Sequence, residues 1–99
     1  MMYRHVSLYT LENKEDIPTM KAMLEEVGNS DPRIRLSVVR ENCTDGTGEE
    51  ASFADIVQML HFANHKDLDA YAHSEGHEWL ISNAPKCTVN ALDYRIDID

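Results

Sequence analysis

Ser52-Phe53-Ala54-Asp55-Ile56-Val57-Gln58-Met59-Leu60-His61-Phe62 (SFADIVQMLHF) is the stretch on which the fold of this chain turns. Its alternation and its aromatic and β-branched content predict a strand. Ile56 and Leu60 are assigned to the face covered by helices, with Asp55, Val57, Met59 and His61 on the opposite face. Before it, Asn42 to Ala51 is a polar segment with Asp45-Gly46 and Gly48, which predicts a turn or loop. Before that, Ile34 to Glu41 (IRLSVVRE) alternates Ile34, Leu36 and Val38 against Arg35 and Ser37, a second strand. On the other side, Asn64 is placed to cap a helix with Asp67 three residues on, and Leu68, Tyr71 and Ala72 form its apolar stripe. Ser74 to Gly76 interrupts that helix. His77 to Ile81 adds a further turn, stopped near Pro85.

The ends of the chain complete the pattern. Tyr3 to Leu11 (YRHVSLYTL) reads as a strand with Val6 and Leu8 on one side and His5, Ser7 and Tyr9 on the other. Asn13 supplies a cap, and Ile17, Met20, Leu24 and Val27 recur at helical spacing until Gly28, Asn29 and Pro32 stop the helix. Thr88 to Ile98 alternates Leu92, Tyr94 and Ile96 against Asp93, Arg95 and Asp97, a last strand. The order is βαββαβ, a single α+β domain over 1–99. Right-handed crossovers put both helices on one face of a four-stranded antiparallel sheet, the ferredoxin-like arrangement, and leave the other face bare. With Val6 and Leu8 turned to the helices, that bare face carries His5, Ser7, Tyr9, Asp55, Val57 and Met59. Two copies could bury such faces against each other, so a homodimer is expected. Trp79 and the Met20/Met23 pair are expected in the core.

Composition excludes several partners. The net charge of −9 offers no basic stripe for nucleic acid or an anionic membrane surface. No stretch resembles a secretion signal or reaches the ~20 apolar residues of a membrane span, so a cytoplasmic protein is expected. Cys43 and Cys87 lack CxxC spacing and are read as free thiols. His73/His77 and His61/His65 sit four apart, but without a zinc signature no metal is expected.

Four segments resemble the stress-responsive dimeric α/β-barrel (Dabb) family. They are Arg4-His5-Val6-Ser7-Leu8, Phe53-Ala54-Asp55-Ile56-Val57, Leu68-Asp69-Ala70-Tyr71 with His77 six residues after the tyrosine, and Leu92-Asp93-Tyr94. The resemblance covers nearly the whole chain in order. It implies a homodimeric barrel with a cavity between sheet and helices in each subunit. By resemblance to cyclase-like members that use cofactor-free acid–base chemistry, His77 matches a histidine base, Tyr71 its partner and His5 a further pocket histidine. The chain departs from that pattern at Asp55, which stands where the cyclases have a histidine. It also departs at Ser74-Glu75, which replaces a His-Pro, with His73 one position early.

The candidate catalytic set is therefore His77, Tyr71, His5 and Asp55, and the Asp55 carboxylate is expected to meet a cation, a histidine such as His5, or water. Ser7, Tyr9, Val57 and Met59 are the candidate ligand-binding residues. The function expected is binding of a small aromatic or polyketide-like molecule, with cofactor-independent cyclase- or isomerase-like proton transfer as the reaction class. The alternatives are a non-catalytic stress-associated structural protein and, more weakly, a cofactor-free monooxygenase.

Overall fold

The computed structural model describes residues 2–44 and 52–97, with side chains outside 42–44 and 52–53. The elements are β1 (Met2–Leu11), a 3-10 turn (Lys14–Asp16), α1 (Ile17–Ser30), β2 (Ile34–Thr44), β3 (Ser52–Phe62), α2 (His65–Ala72), α3 (Glu75–Asn83) and β4 (Cys87–Ile96). The sheet order is β2-β3-β1-β4 with every neighbouring pair antiparallel, as the ferredoxin-like topology requires. β2 continues to Thr44, into the segment expected as a loop, and the Asp45-Gly46 pair and the Cys43 side chain lie outside the described residues.

Side-chain caps mark the start of the 3-10 turn, α2 and α3, and only α2 begins where expected. Asn13 accepts a hydrogen bond from the Glu15 amide at 3.0 Å, although the turn it caps is 3-10 and α1 begins three residues later, with Pro18 in its first turn. The Asn64 side chain accepts from the Asp67 amide at 2.9 Å. Ser74 ends α2 and starts α3: its hydroxyl donates to the Tyr71 carbonyl at 2.7 Å and accepts from the His77 amide at 3.2 Å. The interruption is thus a helix junction, and Gly76 lies inside α3.

α1 buries Met20, Leu24, Val27 and Gly28 against β2 and β3, α2 sits over β1 and β3, and α3 packs mainly on α1. α3 therefore stands off the sheet, and Trp79 is 41% exposed, contrary to its expected place in the core, whereas Met20 is buried. Among the described residues no helix packs closely along β4. Among the described residues no helix is long and apolar enough to cross a membrane.

One expectation is reversed. In β1 the helix-facing side chains are Ser7, Tyr9 and Leu11, while Val6 and Leu8 lie half-buried on the bare face. Cross-strand partners share a face: Ser7 pairs with Gln58 and Tyr9 with Ile56, whose side chains point into the core, whereas Leu8 pairs with Val57. The physical reason is Leu11. It is 1% exposed, and with a side-chain period of two it draws Tyr9 and Ser7 to its own side. The frame inferred for β3 holds, with Ala54, Ile56, Gln58, Leu60 and Phe62 inward.

The bare face remains largely apolar, with Val6, Leu8, Val38, Val57 and Met59 half-buried and Leu36 and Leu92 exposed. Arg4 crosses it, donating from Nε to His61 Nε2 at 2.9 Å and from a guanidinium N–H to the Tyr94 hydroxyl at 3.1 Å. Burial, and then the Arg4 charge, hold the His61 pKa below its ordinary value, which suits an imidazole that accepts a hydrogen bond.

Candidate functional site

Because α1 leans toward β2 and α3 stands off the sheet, a cavity of about 590 Å³ opens between α2–α3 and the β1–β4 side of the sheet. Its sheet wall carries His5, Ser7, Tyr9, Gln58 and Asp93, its helix wall carries Tyr71 and His77, and apart from Lys86 the other lining side chains are apolar. A mostly apolar cleft with a few convergent polar groups is the usual form of a small-molecule site.

On the sheet wall, the β1–β4 register sets His5 directly opposite Asp93. His5 Nδ1 is bonded to the Asp93 carboxylate, and its Nε2 lies 2.8 Å from Ser7 Oγ. A neutral His5 that donates to Asp93 accepts the Ser7 hydroxyl at its other nitrogen. Both ring nitrogens are thereby occupied. Ser7 is only 2% exposed, beneath the cavity wall, which makes it a holder of the ring and not a nucleophile open to substrate.

The helix wall is different. Tyr71 is buried between Phe62 and His77, with ring centroids 5.5 and 5.1 Å away. Burial first, then the neighbouring Tyr9 and Asp31, push the Tyr71 phenol well above its ordinary pKa, so it is a donor at neutral pH. His77 meets the Tyr71 ring edge-on at 62°, and its Nδ1 is buried with no hydrogen-bond partner among the described residues. Burial lowers the His77 pKa. The Ala72 carbonyl opposes this in part without forming a well-aligned bond, and His5 and His73 add to the lowering. At pH 7 the ring is a neutral imidazole, able to take a proton.

Of the residues singled out from the sequence, the cavity brings together His5, Ser7, Tyr9, Tyr71 and His77. Asp55, Val57 and Met59 are not part of it, because they occupy the other frame of β3 and face away from the helices. Asp55 does not pair with His5. Its carboxylate accepts from the Leu11 amide at 2.8 Å and from Lys14 Nζ at 2.7 Å, closing the end of β1. The Lys14 hydrogen bond lowers the Asp55 pKa most; burial works against it, and the Leu11 amide adds to the lowering. Asp93 is the acidic partner that His5 has.

Two site residues went unassigned in the sequence. Asp93 could be placed only through strand register. Gln58, 1% exposed, had a visible signal, being the one polar position in the inward frame Ala54-Ile56-Gln58-Leu60-Phe62. Cys87 also lines the cavity, but burial raises its pKa and keeps it a thiol. Among the described residues, no three His, Cys, Asp or Glu side chains converge as a metal site would need.

No family model matches the chain, and no curated protein matches it significantly. Solved structures do. A dimeric protein of unknown function with a ferredoxin-like fold from Bacteroides fragilis is 21% identical, with a TM-score of 0.70 and 96% of each chain covered. A Dabb family protein with a ferredoxin-like fold from Mesorhizobium loti is 12% identical, with a TM-score of 0.72, covering 99% of this chain and 98% of that one. A hydroxynitrile lyase from Passiflora edulis is 12% identical, with a TM-score of 0.67, covering 99% and 97%. At these identities the likeness shows the fold. That fold is the ferredoxin-like one, with a Dabb family protein among its examples, in keeping with the resemblance read from the sequence.

Proposed function

We propose that this chain is a Dabb-type domain that forms a homodimeric barrel, binds a small, partly apolar aromatic or polyketide-like molecule in the cavity, and moves a proton on it without a cofactor. The observation that carries this reading is the pairing of a neutral His77 with the protonated, buried Tyr71 on one wall of a 590 Å³ cavity. His77 takes a proton from carbon next to a carbonyl, and the Tyr71 hydroxyl donates toward the oxygen where charge gathers. The Asp93–His5–Ser7 line fixes the opposite wall. The apolar bare face supports pairing of two copies, as does the description of the Bacteroides fragilis structure as dimeric.

The test is deuterium incorporation from D2O into the benzylic position of phenylacetone, followed by proton NMR. The wild-type protein is expected to accelerate exchange above buffer. His77→Ala is expected to remove about 10²-fold of that, the usual worth of a positioned base, and Tyr71→Phe to reduce it while preserving the packing. No acceleration, together with no shift of Tyr71 or His77 resonances by aromatic ketones, would sink the proposal and favour a structural, non-catalytic barrel. Oxygen uptake without proton exchange would favour the oxygenase alternative instead.

A further inference from the structure

Gln58 is the most buried polar side chain of the cavity wall, 1% exposed, and only half of its amide is used. Its Oε1 accepts from the Tyr9 hydroxyl at 3.4 Å, while its Nε2 is buried and has no partner among the described residues. Buried amide N–H groups are almost always paired, and an unpaired one costs about 1–3 kcal/mol. The neighbouring groups do not relieve it. Ser7, directly across the strand pair from Gln58, is hydrogen-bonded to His5, and Tyr9 is engaged with the same amide. Val39, its cross-strand neighbour on β2, is apolar.

Folding an unsatisfied amide into the floor of a cavity is destabilising unless something that enters the cavity satisfies it. We infer that Gln58 is a ligand-binding residue whose Nε2 donates to an acceptor oxygen of the bound molecule, so that the ligand carries a ketone, aldehyde, ester or carboxylate oxygen at its sheet-facing end. This rests on the small-molecule reading above and narrows it to one class, apolar molecules with a carbonyl-type oxygen.

The probes are 1-acetylnaphthalene and 1-ethylnaphthalene, alike in shape apart from the oxygen, titrated calorimetrically into the full chain. Wild type is expected to bind the ketone roughly tenfold more tightly, the equivalent of one net hydrogen bond. In Gln58→Met that preference is expected to vanish through weaker ketone binding, while the ligand-free variant melts at or above the wild-type temperature because the unpaired amide is gone. Gln58→Glu keeps the shape but replaces the donor with an acceptor, and it is expected to lose the preference too, so a folding defect in one variant does not shield the idea. An undiminished ketone preference in either folded variant overturns the role of Gln58 and leaves small-molecule binding standing. Binding of neither probe by wild type overturns this inference and the function it rests on.

Discussion

Gly28→Ala is the perturbation whose effect follows most directly from the geometry. Gly28 lies buried on the α1 face that meets β2. A Cβ there would stand 2.1 Å from Ser37 Oγ, 2.9 Å from Ser37 Cβ and 3.7 Å from Leu60 Cδ2. Rotation can remove the hydroxyl from the clash, but Ser37 Cβ is fixed to the β2 backbone, so helix or strand must give by about 0.5–1 Å to restore an ordinary contact. Overpacking of this kind costs about 1–3 kcal/mol. Alanine's better helix propensity returns at most about 1 kcal/mol, leaving a net loss of about 1–2 kcal/mol. For a domain of this size that lowers Tm by roughly 4–8 °C per kcal/mol.

The assay is thermal and urea unfolding followed by circular dichroism, with every variant at one protein concentration because dimerisation makes Tm concentration-dependent. The sharper measurement is the double-mutant cycle. Ser37→Gly removes both clashing atoms, so adding Gly28→Ala to it should be neutral or stabilising, whereas in a Ser37→Ala background the Cβ remains and part of the penalty persists. An unchanged or raised Tm for Gly28→Ala in the natural chain would refute the reasoning, as would an equal penalty in the Ser37→Gly background. The close seat of α1 on β2 also matters for the site, because it leaves the β1–β4 side of the sheet open.

Three further outcomes are expected. The pKa values of His77 and His61 are lowered from 6.5, so below that pH the unfolded chain binds more protons than the folded one. Stability is then full above pH 6.5 and falls as the pH drops toward the lowered values, with a second decline below 3.8 as Asp31 and Asp55 are protonated. Urea titrations from pH 8 to pH 3 check this, and a flat profile between pH 6.5 and 5 would contradict it. Asp55→Ala should cost about 1–2 kcal/mol by freeing the Leu11 amide and Lys14, yet leave deuterium exchange into phenylacetone as in wild type; lost exchange in a folded variant would put Asp55 back into the chemistry. Leu92→Lys sets a charge on the bare sheet face, where Leu92 is 63% exposed, and light scattering should then report monomer where the natural chain reports dimer.

The order of elements, the Asn64 cap and the inward frame of β3 were legible because each rests on residues a few positions apart. One site feature that escaped rests on long-range pairing. His5 and Asp93 are 88 residues apart, and only the β1–β4 register brings them together; no local pattern encodes it. The β1 inversion has a more general cause. Val6 and Leu8 were turned inward on the premise that the helix-facing side of a strand is its more apolar side. In this chain the inward frame His5-Ser7-Tyr9-Leu11 is apolar only where α1 and α2 close over it and polar where the helices stand off, while Val6 and Leu8 lie on the face free to meet a second subunit. Gln58 repeats the pattern in β3, one amide set in an otherwise apolar inward row. A strand whose polar residues face its own helices is thus itself the mark of a cavity, and two adjacent strands, β1 and β3, carry that mark in register at Ser7 and Gln58.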